Sequence, residues 1–462
     1  MDLTRRVLLA GMGAALAAPA LAKSAPGIKD LVAAANLKGT SSILVADVGS
    51  GRVVESLNPG ADVPPASVAK AITTLFALEH LGARRFATQV LGTGPLVEGR
   101  LKGDLILLGG ADPTLDTDSL GDLVAALAKR VKRVEGRFLV HAAALPELAR
   151  ITDDQPDHVG YNAGISALGL NFNRVSFEWG KGGANPQMLA RGERYIPEVS
   201  GIKVKLADRE SPLFTYADKG AETWTVAKPA LKKAGSRWLP VRRPADHAAE
   251  VFARLCAAQG IDLPPPERIA ALPQASVLAE RSSDPLPDIL RDMLRFSTNV
   301  TAETMGLAAS GAGDLRGSAG AMSDWAKSAL GFRGRFVDHS GLGAASRVTA
   351  EGMVQALMAG ERRQPGLRGL LKEQGVLGPD GKKVKGGPVR CVAKSGTLNF
   401  VSGLAGFIER PQGDLCFAIF SADVARREAV PLAEREGPPG VKSWLGRARE
   451  LQSQLIARWA EV

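Results

Sequence analysis

The sequence predicts a mixed α/β fold of the α+β kind, with one five-stranded antiparallel sheet built from both ends of the chain. Two apolar-rich strand candidates, residues 41–46 and 52–56, flank the turn-forming stretch Asp-Val-Gly-Ser-Gly, which indicates a hairpin. The segment 284–359 has mainly helical spacing of its apolar residues. Beyond it, short turns separate three more apolar runs, at residues 389–394, 401–408 and 415–421. Strands on both sides of a helical part predict a sheet that forms only when the two chain ends pair.

Two helices are expected to cover one face of this sheet, at residues 28–35 and 441–460. A sheet buries an apolar face most simply against helices, in a two-layer arrangement. The second helix carries apolar residues at helical spacing: Trp444, Leu445, Ala448, Leu451, Leu455 and Trp459. We interpret this stripe as packing on the sheet, with an amphipathic membrane anchor as the alternative. Contact with a membrane is therefore expected to be peripheral at most.

A large insertion interrupts the predicted main domain. Residues 91–244 contain one helix candidate, several short strand candidates and a polar, glycine-rich stretch. This segment is far longer than an ordinary connection between two elements, so it should form structure of its own. We predict one or two small β-rich subdomains there, and assign residues 23–90 and 245–462 to the main domain.

Residues 1–22 are interpreted as an export signal. Arg5 and Arg6 precede an Ala/Gly/Leu run that ends in Ala-Leu-Ala, the pattern of a twin-arginine signal with a small-residue cleavage site. An ordinary secretory signal is the alternative, and both predict a periplasmic location. The formal net charge of +10 suits an acidic polymer as partner. Nucleic acid is not expected, because aromatic residues are only 5% of the chain and no basic run interleaves with them.

The cysteines and histidines show no metal-binding pattern. Cys391 and Cys416 would lie on the first and third of three neighbouring strands, about 10 Å apart, which is too far for a disulfide. We predict that these two thiols and Cys256 are buried and free. None of the five histidines has the spacing of a metal ligand. We therefore expect no metal and no cofactor.

Ser67 and Lys70 form a Ser-x-x-Lys pattern at the start of a predicted helix. They follow two prolines and open an apolar-periodic run that stops at Gly82. Residues three apart share one face of a helix, so Lys70 can reach the Ser67 hydroxyl. A second copy, at Ser200 and Lys203, lies in an alternating stretch that predicts a strand, where residues three apart point to opposite faces. We interpret the second copy as a chance match.

Two further patterns follow in the order that a serine enzyme with lysine bases requires. The first is Ser-x-Asn, at Ser297 and Asn299, beside a predicted helix–loop junction. It is weak alone, because Ser56 begins another copy. The second is Lys-Ser-Gly-Thr, at residues 394–397, which occurs once and follows an apolar run. A serine hydroxyl needs a base to become a good nucleophile, so the three patterns together predict acyl transfer through a serine ester.

On these motifs, the chain resembles the periplasmic penicillin-binding proteins of the D-alanyl-D-alanine carboxypeptidase/endopeptidase type with a large insertion between Ser-x-x-Lys and Ser-x-Asn. The resemblance covers nearly all of the mature sequence, including Gly-Ala-Asp-Pro-Thr-Leu at residues 110–115 and Asp-His-Ser-Gly-Leu-Gly at residues 338–343. It implies a penicillin-binding-protein/serine β-lactamase-like domain. The chain departs from the family at His339, where Gly is usual, and at Ser395, where these peptidases usually carry Thr.

The motif residues can be given chemical roles. Ser67 would be the nucleophile, and Lys70 would act as its base if burial and a second positive charge keep the amine neutral. The other catalytic candidates are Ser297, Asn299 and Lys394. Lys394 would supply the second positive charge, and Ser297 and Asn299 would relay a proton to the leaving amine. Backbone N–H groups of Ser67 and Thr397 would hold the oxyanion. By resemblance, the substrate-binding residues are Ser395, Gly396 and Thr397, whose hydroxyls with Lys394 would hold a terminal carboxylate.

The resemblance implies hydrolysis of D-alanyl-D-alanine bonds in peptidoglycan, with endopeptidase action on D-alanyl cross-links as a second activity. β-Lactam antibiotics are expected to acylate the same serine. Three alternatives stay open at this point. One is a β-lactamase or esterase with the same motifs, which Ser395 favours. The second is a non-catalytic peptidoglycan-binding protein that retains the fold, and the third is an exported domain whose motifs match by chance.

Overall fold

A computed structural model describes residues 26–377, 383–384 and 387–461. The predicted export signal, residues 1–22, lies outside the described residues. The α-helices of the described part are α1 (Ile28–Ala35), α2 (Ala69–Leu81), α3 (Thr117–Ala128), α4 (Pro244–Ala258), α5 (Leu286–Phe296), α6 (Asn299–Ser310), α7 (Leu315–Leu330), α8 (Ala350–Arg363), α9 (Leu367–Leu370), α10 (Val424–Glu428) and α11 (Val441–Glu461).

Strands occur on both sides of the helical part and within the inserted part. In chain order they are β1 (Thr40–Asp47), β2 (Val53–Leu57), β3 (Ala87–Gly92), β4 (Leu96–Val97), β5 (Arg100–Leu101), β6 (Leu105–Gly109), β7 (Arg133–Val134), β8 (Phe138–His141), β9 (Arg174–Trp179), β10 (Gln187–Leu189), β11 (Ile202–Ala207), β12 (Phe214–Asp218), β13 (Glu222–Ala227), β14 (Gly235–Pro240), β15 (Pro266–Arg268), β16 (Ser276–Ser282), β17 (Gly334–Arg335), β18 (Arg347–Val348), β19 (Lys372–Gln374), β20 (Val376–Leu377), β21 (Lys383–Val384), β22 (Arg390–Leu398), β23 (Val401–Glu409) and β24 (Leu415–Ala422).

The central sheet is antiparallel and joins both chain ends, as the sequence predicts. Its strand order is β19-β22-β23-β24-β1-β2, and the pairing of β1 with β24 runs along the full length of both strands. The predicted strand count of five is wrong by one, because β19 adds a sixth strand of three residues. Such a short polar strand gives no alternation pattern to recognise. The strand predicted over 389–394 is also longer, since β22 continues through the Lys-Ser-Gly-Thr sequence.

Helices α1 and α11 cover one face of the central sheet, which confirms the predicted two-layer arrangement. The apolar stripe of α11 is buried with the inward residues of the sheet, and Trp444 Nε1 donates a hydrogen bond to the Leu37 carbonyl at 2.6 Å. The interpretation of this stripe as packing is therefore confirmed. No helix in the described part of the chain is both long and apolar enough to cross a membrane. On the other face, α8 packs on β1 and β24.

Residues 284–359 are mainly helical, as predicted. Helices α5, α6 and α7 pack against α2, whose residues 69–77 are all buried. Two residues, Ser297 and Thr298, join α5 to α6, and Ser297 has a left-handed backbone conformation. This packing fixes the start of α2 against the start of α6.

The inserted part contains four sheets, with strand orders β15-β8-β6-β3-β16, β10-β9-β14, β11-β13-β12 and β4-β5-β7. Strand β16 pairs along β3, so a strand near residue 280 belongs to the same sheet as one near residue 90. We propose on this pairing that the inserted part extends from about residue 87 to about residue 282, wider than the predicted 91–244. Helix α4 packs on α3 within the same unit.

Candidate active site

Ser67 lies in a tight turn where the chain enters α2. The turn Ala66–Val68 is 3-10 helical, and Ala66 has a positive φ of 46°, an uncommon conformation for a residue with a Cβ. Lys70 is in the first turn of α2, and its Nζ donates a hydrogen bond to Ser67 Oγ at 2.9 Å. The helical spacing predicted from Ser-x-x-Lys therefore brings the amine and the hydroxyl into contact.

The Lys70 amine is buried and surrounded by acceptors. Besides Ser67, its Nζ donates to Asn299 Oδ1 at 2.7 Å and to the Ser340 carbonyl at 2.9 Å, and the residue has no exposed surface. Burial, reinforced by the charge of Lys394, holds the pKa of Lys70 well below its usual value near 10.5. Burial favours the neutral amine because a charged group loses its hydration there. A neutral amine can accept a proton from a hydroxyl.

Asn299 is held from two sides. Its Oδ1 accepts the Lys70 hydrogen bond, while its Nδ2 donates to the Tyr161 carbonyl at 2.9 Å. Because one side of the amide must accept and the other must donate, these two partners fix its orientation. Tyr161 belongs to the inserted part, so that part contributes directly to the site.

Lys394 is the second buried amine. Its Nζ donates to Ser297 Oγ at 3.0 Å and to the Ser395 carbonyl at 2.8 Å, and only 3% of the residue is exposed. Burial, with a smaller contribution from the charge of Lys372, lowers the pKa of Lys394 to about 8. At neutral pH the Lys394 amine is therefore mainly protonated and positively charged.

Gly396 allows β22 to approach the turn at Ser67. A Cβ built on Gly396 would lie 2.7 Å from the Pro65 carbonyl oxygen and 2.9 Å from the Ser67 nitrogen, closer than real Cβ contacts allow. The absence of a side chain thus brings the backbone of β22 beside the backbone N–H of Ser67. Thr397, the next residue, lines the same cavity of about 420 Å³ as Ser67, Ser297 and Asn299.

A buried loop, residues 338–343, provides the Ser340 carbonyl that accepts a hydrogen bond from the Lys70 amine. Glu303, fully buried, accepts the backbone N–H groups of His339 and Ser340 at 2.9 Å each, which orients the Ser340 carbonyl toward Lys70. Burial and the neighbouring Asp338 raise the pKa of Glu303 to about 8. At His339 the chain departs from the pattern of the resembled family, and Gly306 leaves room for this side chain. A Cβ at position 306 would overlap the His339 ring.

The structure thus brings all five predicted catalytic candidates into one place, and the three predicted substrate-binding residues lie on the strand beside them. The sequence motifs do not predict Tyr161, Ser340 and Glu303. Two of these act through backbone carbonyl groups, which every residue type carries. The run Asp338–Gly343 was visible as a family-like stretch, and that is the one signal that could have drawn attention to this loop.

Metal ligation has no support in the described residues. No group of three or more His, Cys, Asp or Glu side chains there could hold a metal ion. The three cysteines are buried free thiols, as predicted, and burial raises the pKa of each. The five catalytic candidates offer two hydroxyls, two amines and one amide.

A half-buried serine in contact with a buried amine of lowered pKa, on a sheet flanked by helices, defines a serine acyl-transfer enzyme of the penicillin-binding-protein/β-lactamase-like fold. The family model of the D-Ala-D-Ala carboxypeptidase 3 (S13) family matches residues 26–437. The chain therefore belongs to that family, which confirms the predicted class of serine-type carboxypeptidase.

Individual relatives agree with this assignment. The chain is 28% identical to a D-alanyl-D-alanine carboxypeptidase from an Actinomadura species, over 91% of this chain and 87% of that protein. It is 24% identical to a D-alanyl-D-alanine carboxypeptidase of Haemophilus influenzae, over 80% of this chain and 82% of that protein. The crystal structure of penicillin-binding protein 4 from Haemophilus influenzae superposes with a TM-score of 0.74 at 21% identity, over 94% of this chain and all of that chain. The shared fold is the one that the sequence predicts.

Proposed function

We propose that the protein hydrolyses the D-alanyl-D-alanine peptide bond of peptidoglycan stem peptides through an acyl-enzyme on Ser67. The observation that carries the proposal is the 2.9 Å hydrogen bond between Lys70 Nζ and Ser67 Oγ, made by an amine with no exposed surface. Family membership supports the choice of bond. The alternative of a non-catalytic binding protein does not need a lysine whose pKa is lowered, an arrangement that costs folding free energy.

Acylation begins with proton transfer from the Ser67 hydroxyl to the neutral Lys70 amine. The oxygen then attacks the penultimate carbonyl carbon and forms a C–O bond, and the carbonyl oxygen becomes an oxyanion. We assign the backbone N–H groups of Ser67 and Thr397 to this oxyanion, supported by the close approach of β22 at Gly396. Removing one such donor typically costs about 10²–10³ in kcat.

Collapse of the oxyanion breaks the C–N bond, and the leaving D-alanine nitrogen must gain a proton. The proton that Lys70 took from Ser67 is delivered to this nitrogen, which returns the Lys70 amine to its neutral form. Ser297 is placed to relay it, because its hydroxyl lines the same cavity as Ser67 and is held there by a hydrogen bond from Lys394 at 3.0 Å. Asn299 keeps the Lys70 amine in place through the hydrogen bond at 2.7 Å. Water then attacks the ester carbon, releases the shortened peptide and returns the proton to Ser67.

The proposal extends to β-lactams and to cross-links. A β-lactam presents a strained amide to the same serine, and the Haemophilus influenzae penicillin-binding protein of the same fold has been solved with a bound β-lactam. Endopeptidase action would follow the same steps, because the scissile bond in a D-alanyl cross-link also lies on the carboxyl side of a D-alanyl residue. We place the mature enzyme in the periplasm, exported through the twin-arginine pattern at Arg5 and Arg6.

Digestion of purified muropeptides tests the proposal. The protein should release free D-alanine from pentapeptides and separate cross-linked dimers into monomers, as read by chromatography of the products. In parallel, labelled penicillin should attach to the wild-type protein and not to Ser67→Ala. Rapid release of the penicillin label would indicate a β-lactamase instead. Binding of muropeptides without release of any product would instead support a non-catalytic peptidoglycan-binding protein.

A further inference from the structure

One segment of the inserted part, residues 149–162, is in direct contact with the catalytic residues. It contains no helix and no strand. Its Tyr161 lines the active-site cavity, and the Tyr161 carbonyl accepts the hydrogen bond from Asn299 Nδ2 at 2.9 Å. The carboxylate of Asp154 accepts the backbone N–H of Ala344 at 3.0 Å, just beyond the loop that bonds the Lys70 amine. The position of this segment therefore affects the position of Asn299.

Asn162 closes the segment into a loop. Its side chain is fully buried, its Oδ1 accepts the backbone N–H groups of Ile151 and Thr152 at 3.1 Å each, and its Nδ2 donates to the Thr152 carbonyl at 2.8 Å. These hydrogen bonds join the two ends of the segment, so its shape does not need a helix or a sheet. Its position relative to Asn299 still needs an anchor outside the loop.

Arg242, two residues after β14, is that anchor. Only 4% of Arg242 is exposed. Its guanidinium donates to three backbone carbonyls of the loop, those of Ala149, Asp157 and Asn162, at 3.1, 2.5 and 2.5 Å. They lie at the start, in the middle and at the end of the loop. The Asn162 carbonyl directly follows the Tyr161 carbonyl in the chain, so the guanidinium holds the peptide group next to the one that Asn299 contacts.

The burial of this guanidinium is costly, which favours a role beyond packing. Burial lowers the pKa of Arg242 to about 10, so the group is still charged at neutral pH. An apolar side chain would avoid the desolvation of a cation, but it could not bind three carbonyls at once. The anchor is itself fixed, because the buried carboxylate of Glu222 on β13 accepts the backbone N–H groups of Arg242 and Arg243 at 2.9 and 2.8 Å.

We propose that Arg242 is a positioning residue for acylation, which acts through the loop at residues 149–162 on the amide of Asn299. Asn299 Oδ1 accepts a hydrogen bond from Lys70 at 2.7 Å, and Lys70 donates to Ser67 at 2.9 Å, so the amide carries the effect to the base and the nucleophile. The inserted part thus belongs to the framework of the catalytic centre. This inference rests on the proposed function, since it assigns a role in the acylation of Ser67.

A double-mutant cycle tests the role of Arg242. The rate of acylation by labelled penicillin is measured per site that becomes labelled at saturation, so unfolded protein does not count. Arg242→Gln should slow acylation about 10- to 100-fold, because a catalytic group misplaced by about 1 Å can cost 10²-fold. In the Asn299→Ala background the same substitution should slow it less than about threefold, because the contact that transmits its effect is gone.

Two further variants complete the design. Arg242→Lys keeps the charge with fewer donors, so it should lose less than Arg242→Gln, and it serves in the same cycle if Arg242→Gln does not fold. Arg209→Gln is the matched control. Arg209 also lies in the inserted part and donates to backbone carbonyls, those of Pro212 and Thr225, but neither residue lines the active-site cavity. Its acylation rate should stay within about twofold of wild type.

Equal losses from the Arg242 substitution in the wild-type and Asn299→Ala backgrounds would show a structural role only and would overturn the inference. No loss in either background would overturn it as well. A wild-type protein that penicillin does not label at Ser67 would instead refute the proposed function itself.

Discussion

Two copies of the Ser-x-x-Lys pattern occur in this chain, and their surroundings differ completely. Ser67 and Lys70 are at the start of a helix, where the amine is buried and contacts the hydroxyl. Ser200 precedes β11, and its hydroxyl and backbone N–H both donate to Glu250, at 2.8 and 2.6 Å. Lys203 is exposed on that strand.

The contrast shows that burial and backbone geometry, more than spacing, give this pattern its chemistry. A serine that donates its hydrogen bond to a carboxylate has no amine beside it to take its proton. The same four-residue spacing is thus reactive in one place and structural in the other. Parallel substitutions in the two copies test this conclusion.

Loss of the nucleophile should give the largest difference. Ser67→Ala should lower D-alanine release by about 10⁴-fold or more, because only the oxyanion donors and substrate binding remain. Ser200→Ala should leave the rate within about twofold of wild type. The measurement is release of free D-alanine from a pentapeptide. Activity lost in Ser200→Ala with retained activity in Ser67→Ala would reverse the assignment.

Loss of the base should come next. Lys70→Met removes the proton acceptor, and general base catalysis typically contributes 10²–10⁴-fold, so acylation by penicillin should slow by about 10³-fold. The thermal midpoint should change little, because removal of a buried amine offsets the hydrogen bonds that Asn299 and the Ser340 carbonyl lose. Lys203→Met should change neither quantity. A large fall in the thermal midpoint of Lys70→Met would attribute its lost activity to misfolding.

A smaller effect is expected where the two backbones approach. Gly396→Ala would place a methyl group against the Pro65 carbonyl and the Ser67 nitrogen, so we expect kcat to fall about 100-fold, as on loss of one oxyanion donor. In Gly201→Ala the nearest atom is the flexible Glu250 carboxylate, at 2.7 Å, and activity should be unchanged. Equal kcat values for Gly396→Ala and wild type would show that the strand can move away from the turn.

The acylation rate should fall at both low and high pH, for two different reasons. Below the lowered pKa of Lys70 its amine is protonated and cannot accept the Ser67 proton, so the acylation rate falls as pH falls. Above about pH 8 Lys394 loses its proton, and the rate should fall about tenfold by pH 9. In Lys394→Arg the alkaline fall in rate should shift to higher pH, because a guanidinium keeps its charge. An unmoved alkaline limb in that variant would assign it to another group.

Much of this arrangement follows from sequence. The start of α2 is marked by prolines and by apolar periodicity, and the strands around Val45 and Phe417 by runs of apolar residues. The convergence of three motifs follows once both chain ends share a sheet. The hydrogen bonds from Tyr161 and Ser340 could not be predicted, because a backbone carbonyl has no residue-type signal and its direction depends on distant packing. The three residues of β19 likewise depend on β22 rather than on their own pattern.

The meeting of the two chain ends in the central sheet has a consequence for biosynthesis. Ser41 and Ser421 share a hydrogen bond although they are 380 positions apart, so β1 cannot pair with β24 until the ribosome has made the residues of β24. The inserted part, whose sheets pair within a shorter stretch, can form earlier. The strand beside Ser67 is β22, so we expect a chain that ends before this strand to be inert.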